Sequence, residues 1–359
     1  MATVEGMARR PAALTLAAVA VGLGALAACS GSSHHPAASP SSSATPTPTP
    51  TASPTQTAAL ATTCPLTGLE PARTQNRNRP ALAIKIDNVD VARPQTGVDK
   101  ADIVVEELVE GGLTRLFAVF QCDSASRVEP IRSARSSDAD LLAMLHGSVF
   151  AFSGANPAAL PPIRAHGNTV MLAYDSLGQF FHRDGSRAAP HNVYSSTATL
   201  LAAGQARRRG LGAPPPWFTY GPLDAAAARP VNVVSMSWAA ASAAWTWKGG
   251  GWQRTQNGTP DFLTDGHRVS AANVVIMSIT LASTGIRDVA GNSSPLDVTV
   301  GGNRPVWVLR DGHVIRGTWH RRSIGAFWQL LDGSGHVIAL KPGRTWVELL
   351  PRPAQPLIR

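Results

Sequence analysis

The sequence predicts an α/β (α+β) N-terminal domain, then a β-rich C-terminal domain, both carried on a disordered N-terminal tether. Three observations carry this. Residues 29–63 are mostly Ser, Thr, Pro and Ala, with alternating Thr-Pro at Thr45 to Pro50, and cannot bury a core. Residues 64–208 alternate strand-like apolar runs with helix-like segments. Residues 217–352 read as strands broken by Asn-Gly and Asp-Gly turns, and all nine tryptophans lie at Trp217 or later. Between the two, Arg207-Arg208-Arg209-Gly210 and Pro214-Pro215-Pro216 have the composition of a linker.

The first residues carry an address. Arg9 and Arg10 precede an apolar stretch from Ala12 to Ala25, and Leu26-Ala27-Ala28-Cys29 has the pattern of a lipobox. Residues 1–28 are therefore expected to be a signal peptide cut before Cys29, which would carry lipid. Two acyl chains on one cysteine suffice for stable anchoring. The expected location is the extracytoplasmic face of the cell membrane. An extended Ser/Thr/Pro tether could reach on the order of 100 Å from it.

In the first domain, Ala81 to Ile86 is an expected strand ending at Asp87-Asn88. Ile103 to Val109 and Leu113 to Gln121 are expected to pair through Gly111-Gly112 as a two-residue turn. That register sets Leu108 opposite Arg115 and makes Glu106 and Glu110 its diagonal neighbours. Ser136 or Ser137 should cap a helix carrying Leu141, Leu142 and Leu145. Ser148 to Phe152 and Pro157 to Ala165 suggest a further strand and helix. In the second domain, two similar hairpins are expected around Asp311-Gly312 and Asp332-Gly333.

The formal net charge is +9, with only four lysines, so arginine dominates and anionic partners are favoured. No basic run exceeds Arg207 to Arg209, and an exported protein does not meet the genome, so nucleic acid is not an expected partner. Arg132-Ser133-Ala134-Arg135 precedes the expected helix start, where free N–H groups and guanidinium forks suit an anion. Arg93 and Arg115 complete the candidate anion set. A structural reading instead pairs Arg132 and Arg135 with Glu129, Asp138 or Asp140, and Arg115 with Glu106 and Glu110 in a cross-strand salt bridge. Asp87, Glu106, Glu110, Asp184, His191 and Asn192 are the candidate catalytic groups, with Asp184 able to orient His191 as a base. No nucleophile motif accompanies them and no cofactor is expected; in the enzyme reading Asp87, Glu106, Glu110 and His191 are acid–base or metal-binding candidates. Trp245, Trp247 and Trp252 could stack on sugars or fill a core. With Cys29 lipidated, Cys64 and Cys122 remain as a disulfide pair or two free thiols.

These segments resemble the YerB-like lipoprotein family. The resemblance rests on Cys64-Pro65-Leu66-Thr67-Gly68-Leu69, Ile86-Asp87-Asn88, Ala92-Arg93-Pro94-Gln95-Thr96-Gly97 and Ala101-Asp102-Ile103-Val104. It continues through Val109 to Arg115, Pro130 to Arg135, Ala189 to Asn192, Ala272 to Val275, Gly317-Thr318-Trp319 and Pro342 to Val347. It implies a two-domain envelope lipoprotein and supplies no reaction. Glu129 stands where a glycine is usual, which sets a carboxylate beside the arginine motif and would weaken anion binding. The Ala-rich stretch around Ala239 to Ala244 is a second departure.

The expected function is a membrane-anchored envelope lipoprotein binding an anionic wall polymer or lipid-linked precursor through its first domain. The rivals are a hydrolase or transferase acting on a phosphorylated envelope polymer, and a non-catalytic scaffold for envelope proteins.

Overall fold

The computed structural model describes residues 62–71, 74–166 and 168–359. The expected signal segment, Cys29 and the tether up to residue 61 lie outside the described residues. The described residues form one compact unit.

Its first half holds β1 (Ala81–Asp87), β2 (Ile103–Leu108), β3 (Thr114–Phe120), α1 (Asp138–Ala143), β4 (Ser148–Phe152), α2 (Leu160–Ala165), β5 (Thr169–Ala173) and α3 (Tyr174–Leu177). A small ribbon, β6 (His182–Arg183) with β7 (Val193–Tyr194), precedes α4 (Thr197–Arg207). The second half is strands: β8 (Ala228–Pro230), β9 (Val233–Ser237), β10 (Ser242–Lys248), β11 (Gly251–Gln256), β12 (Thr259–Pro260) and β13 (Ser270–Ala271). Then come β14 (Asn273–Arg287), β15 (Ser293–Val298), β16 (Gly301–Arg310), β17 (His313–Arg321), β18 (Gln329–Asp332), β19 (Thr345–Pro351) and β20 (Leu357–Ile358).

The mixed first half and strand-rich second half match the sequence reading. What the sequence does not reveal is that one sheet runs through both. Its order is β18-β17-β16-β14-β19-β2-β3-β1-β4-β5, with β15 on β14 and β8 on β17. The junction is parallel pairing of β19 with β2, which sets Glu348 beside Glu106. β9 to β13 and β20 form a second, antiparallel sheet.

Strands buried on both faces read as continuous apolar runs, and β1 is buried at every position. One face carries Leu82, Ile84, Leu116, Ala118 and Trp346 against α4 and the small sheet. The other carries Ala83, Val105, Phe117, Val347 and Phe150 against α1 and α2. Gly204 lets α4 lie close, since a Cβ there would meet Val149 at 2.2 Å. Of the tryptophans expected to bind sugar or fill a core, Trp245 and Trp252 fill the core, and Trp247 is half-buried against Trp252. Trp245 and Trp252 are fully buried, and Trp245 packs edge-on to Trp346 with centroids 5.3 Å apart. Cys64 and Cys122 are joined by a disulfide that ties the chain entry to the end of β3.

One expected register is wrong. The β2–β3 connection is not a two-residue turn. Val109 to Leu113 forms a longer loop, closed by Val109 N–H donating to the Leu113 carbonyl at 2.8 Å, with Gly111 and Gly112 at φ 70° and 75°. Leu108 therefore pairs with Thr114, and Glu107 pairs with Arg115. A one-residue slip exchanges faces. Glu106 consequently points away from Arg115.

Candidate functional site

β1 ends and β3 begins at the same edge of the sheet, so Asp87 and Arg115 are register partners. Three further segments close around them: residues 132–135, the Asn156 turn before α2, and the loop carrying His191. The tip of the β14–β15 arm, with Arg287, Asp288 and Val289, completes a cleft of about 700 Å3. Asp87, Glu110, Arg115, Arg132, Ser133, Arg135 and His191 all line it.

Each charged group has a distinct arrangement. Arg132 donates from Nε to Asp87 Oδ2 at 2.8 Å. His191 Nδ1 lies 2.6 Å from the same oxygen, and the Asn88 N–H donates to Asp87 Oδ1 at 3.0 Å. Arg135 grips Glu110 through Nε at 2.7 Å and Nη2 at 2.7 Å. Burial would raise the Glu110 pKa, but hydrogen bonds and charge from Arg135 outweigh it and hold the carboxyl below its ordinary value.

Arg115 differs. It is only 9% exposed and donates from Nη1 to the Ser133 carbonyl at 3.1 Å. Among the described residues no carboxylate is in ion-pair contact with it. Burial, with repulsion from Arg135 and Arg132, pushes its pKa down to about 9 despite the pull of Asp87 and Glu110. A desolvated guanidinium without a carboxylate contact is held at a cost that a bound anion offsets.

The helix start expected from the sequence to receive an anion is already occupied. α1 has six residues, and the Asp138 carboxylate already accepts the Arg135 backbone N–H at 2.6 Å. Asp138 also pairs with the buried Lys85 at 2.8 Å, and Glu107 is Lys85's second partner. Asp297 on β15 is fully buried beside this cluster, and burial pushes its pKa up to about 7.

Other candidates fall outside the cleft. Glu106 is buried on the opposite face, 2.5 Å from Arg254 Nη2. Arg93 reaches the Asn88 carbonyl at 2.8 Å and pairs with Asp90 beside the small sheet. Asp184 does not orient His191. It pairs with Arg127 and accepts from Ser186, and Asp87 is the carboxylate at the imidazole. Asn192 is a loop staple, accepting from Arg183 Nη1 at 2.7 Å and donating to the Arg187 carbonyl at 3.2 Å. Glu129, expected to stand beside the arginine motif, pairs instead with Arg127 and lies near Arg187. The arm residues Arg287, Asp288 and Val289 had no signal in the sequence, since only long-range pairing brings that hairpin here. Among the described residues, no group of three or more His, Cys, Asp or Glu side chains is placed to hold a metal.

Residues 66–211 match the family described as "Protein of unknown function (DUF3048) N-terminal domain", and residues 232–347 match the C-terminal domain of that family. The protein named "Putative lipoprotein YerB" from Bacillus subtilis (strain 168) is 29% identical over 297 residues, covering 80% of this chain and 86% of its own. The crystal structure of the YerB protein from Bacillus subtilis has a TM-score of 0.69 at 24% identity. That match covers 82% of this chain and 99% of the solved one, and it shows the same fold. With both family domains present in order, this chain belongs to the YerB-like DUF3048 family.

Proposed function

We propose that the chain is an envelope lipoprotein whose cleft binds an anionic group of a wall polymer or lipid-linked precursor. Arg115 carries this reading: a nearly buried guanidinium in an open cleft, without a carboxylate contact. Arg132 and Arg135 flank it: Arg132 reaches Asp87 through Nε, which leaves its Nη groups to offer the fork geometry that phosphate and carboxylate accept, while the Arg135 fork is held by Glu110 and adds positive charge. In this reading residues 1–28 are a signal, Cys29 is the lipid attachment point and residues 29–63 are the spacer. The domain from 64 to 208 supplies the cleft floor, and the domain from 217 to 352 supplies its arm. The lipoprotein named among the relatives supports the anchor. Among the described residues no helix is long and apolar enough to cross a membrane.

The test uses the Thr57–Arg359 unit, which carries every described element. It should bind purified wall fractions, and dimethyl phosphate as a small probe, more weakly as salt rises. Arg132→Ala with Arg135→Ala should lower both. Binding that ignores salt and the double substitution would refute the reading.

The Asp87–His191 contact favours a second reading, hydrolysis of a phosphodiester. Asp87 fixes Nδ1, and the His191 ring borders the cleft, so Nε2 could act as base to an attacking water. Turnover of bis(p-nitrophenyl) phosphate that is lost in His191→Gln, with dimethyl phosphate still bound, would support it. Absence of turnover in the unsubstituted protein would leave binding alone.

A further inference from the structure

The cleft is larger and more apolar than an anion alone requires. Its volume of about 700 Å3 sits within the roughly 300–1,000 Å3 typical of sites for whole organic ligands. The charged groups occupy its floor, while Val89, Val109, Leu113, Pro157 and Val289 line the rest. Leu113 is 37% exposed and Val289 is completely exposed at the tip of the β14–β15 arm. Isolated exposed apolar residues are ordinary, but these two line the same cleft as three guanidinium groups. Charge narrows the head group. Three guanidinium groups face the carboxylates of Asp87 and Glu110, and Arg287 and Asp288 at the rim offset each other. The balance favours one negative charge rather than two.

We propose that the cleft takes an amphiphile, with a singly charged phosphodiester head on Arg115 and an alkyl or prenyl chain along Leu113, Val109 and Val289. This rests on the anion-binding reading and extends it, because it makes the lipid part of a lipid-linked ligand a contact rather than a bystander. Each methylene moved from water onto the apolar wall adds to affinity, so binding should strengthen with chain length until the wall is covered.

The experiment compares three probes by titration calorimetry on the Thr57–Arg359 unit, all below their micelle-forming concentrations: dimethyl phosphate, methyl octyl phosphate and octyl glucoside. Methyl octyl phosphate should bind at least tenfold more tightly than dimethyl phosphate, and octyl glucoside should bind more weakly than methyl octyl phosphate by a similar factor. Leu113→Ser with Val289→Ser should erase most of the octyl gain and leave dimethyl phosphate binding unchanged. Both positions are exposed, so folding is not at stake. Equal binding of the two phosphates, or an octyl gain that survives the double substitution, would overturn the amphiphile while leaving anion binding intact. Octyl glucoside binding as tightly as methyl octyl phosphate would overturn the head-group assignment. If neither phosphate binds, the anion reading fails and this inference fails with it.

Discussion

Arg115 and Arg254 lie on opposite sides of the large sheet, and each is nearly or fully removed from water. Arg254 projects from β11 onto the sealed face, where Glu106 and Asp261 each lie 2.5 Å from it and Gln256 is a further partner. Burial alone would lower its pKa, but Glu106, Asp261 and Glu348 outweigh that and raise it. Arg115, on the other side, borders the cleft and donates to the Ser133 carbonyl with no carboxylate contact among the described residues, and its pKa falls. Consecutive residues of β2 serve the two sides: Glu106 points to Arg254, and Glu107 points to Lys85. Buried charge with its partners in place is internal architecture. Buried charge beside a cleft, without a carboxylate contact among the described residues, is the ground of the proposed anion site.

The comparison breaks most visibly if Arg254 is truncated. Arg254→Ala would leave Glu106, Asp261 and Glu348 without their shared cation. Removing one partner of a buried pair costs about 3–5 kcal/mol, so the urea midpoint should fall sharply. A loss below about 1 kcal/mol would show that the sealed cluster is not held by this arginine. Asp297 gives the next effect, and it depends on pH. Burial on folding lifts its pKa from the ordinary 3.8 to about 7. Between those values the folded state holds more protons than the unfolded chain, so stability falls as pH rises through the window. Asp297→Asn removes this dependence. It should stabilise the protein at pH 8 by on the order of 2–4 kcal/mol, with the gain vanishing near pH 4. Unfolding curves at the two pH values check it, and an equal effect at both would exclude proton linkage.

The contrast between the two faces was only partly legible in the sequence. The apolar runs of β1, β4 and β14 and the Asp311-Gly312 turn announce themselves through local pattern, and the motif residues Asp87, Arg115, Arg132, Arg135 and His191 do meet. The face on which each side chain falls was not legible, because it hangs on a single residue in the loop from Val109 to Leu113. That loop sent Glu106 to Arg254. The shared sheet was hidden for another reason. β19 and β2 lie far apart in sequence and pair in parallel, which no local turn signal marks. The same applies to β5, whose partly buried run carries little periodicity, and to α4, where apolar alanines surround the two leucines. Asp87 as the partner of His191 could have been suspected only if the end of β1 had been set beside the His191 loop.

Arg115→Met inverts the expectation for Arg254. Replacing a desolvated cation by an apolar chain of similar length should leave stability unchanged or slightly raised, while dimethyl phosphate binding drops by at least tenfold, about 1.4 kcal/mol. A fall in both together would make Arg115 a structural residue like Arg254 and remove the contrast.

The smallest effect is expected at Arg93, and it separates motif from site. Arg93 sits in the segment Ala92 to Gly97 that carries part of the family resemblance, and from the sequence alone it ranks with the other arginines. In the structure its guanidinium turns to Asp90 and the Asn88 carbonyl, and Asp90 is 71% exposed. An ion pair so open to water contributes under about 1 kcal/mol. Arg93→Gln should therefore keep dimethyl phosphate affinity within twofold and barely move the urea midpoint. A loss of binding comparable to that of Arg115→Met would mean that the cleft reaches past Asp87 toward the small sheet. The division between the cleft beside Arg115 and the sealed Arg254 cluster would then have to be redrawn around β1.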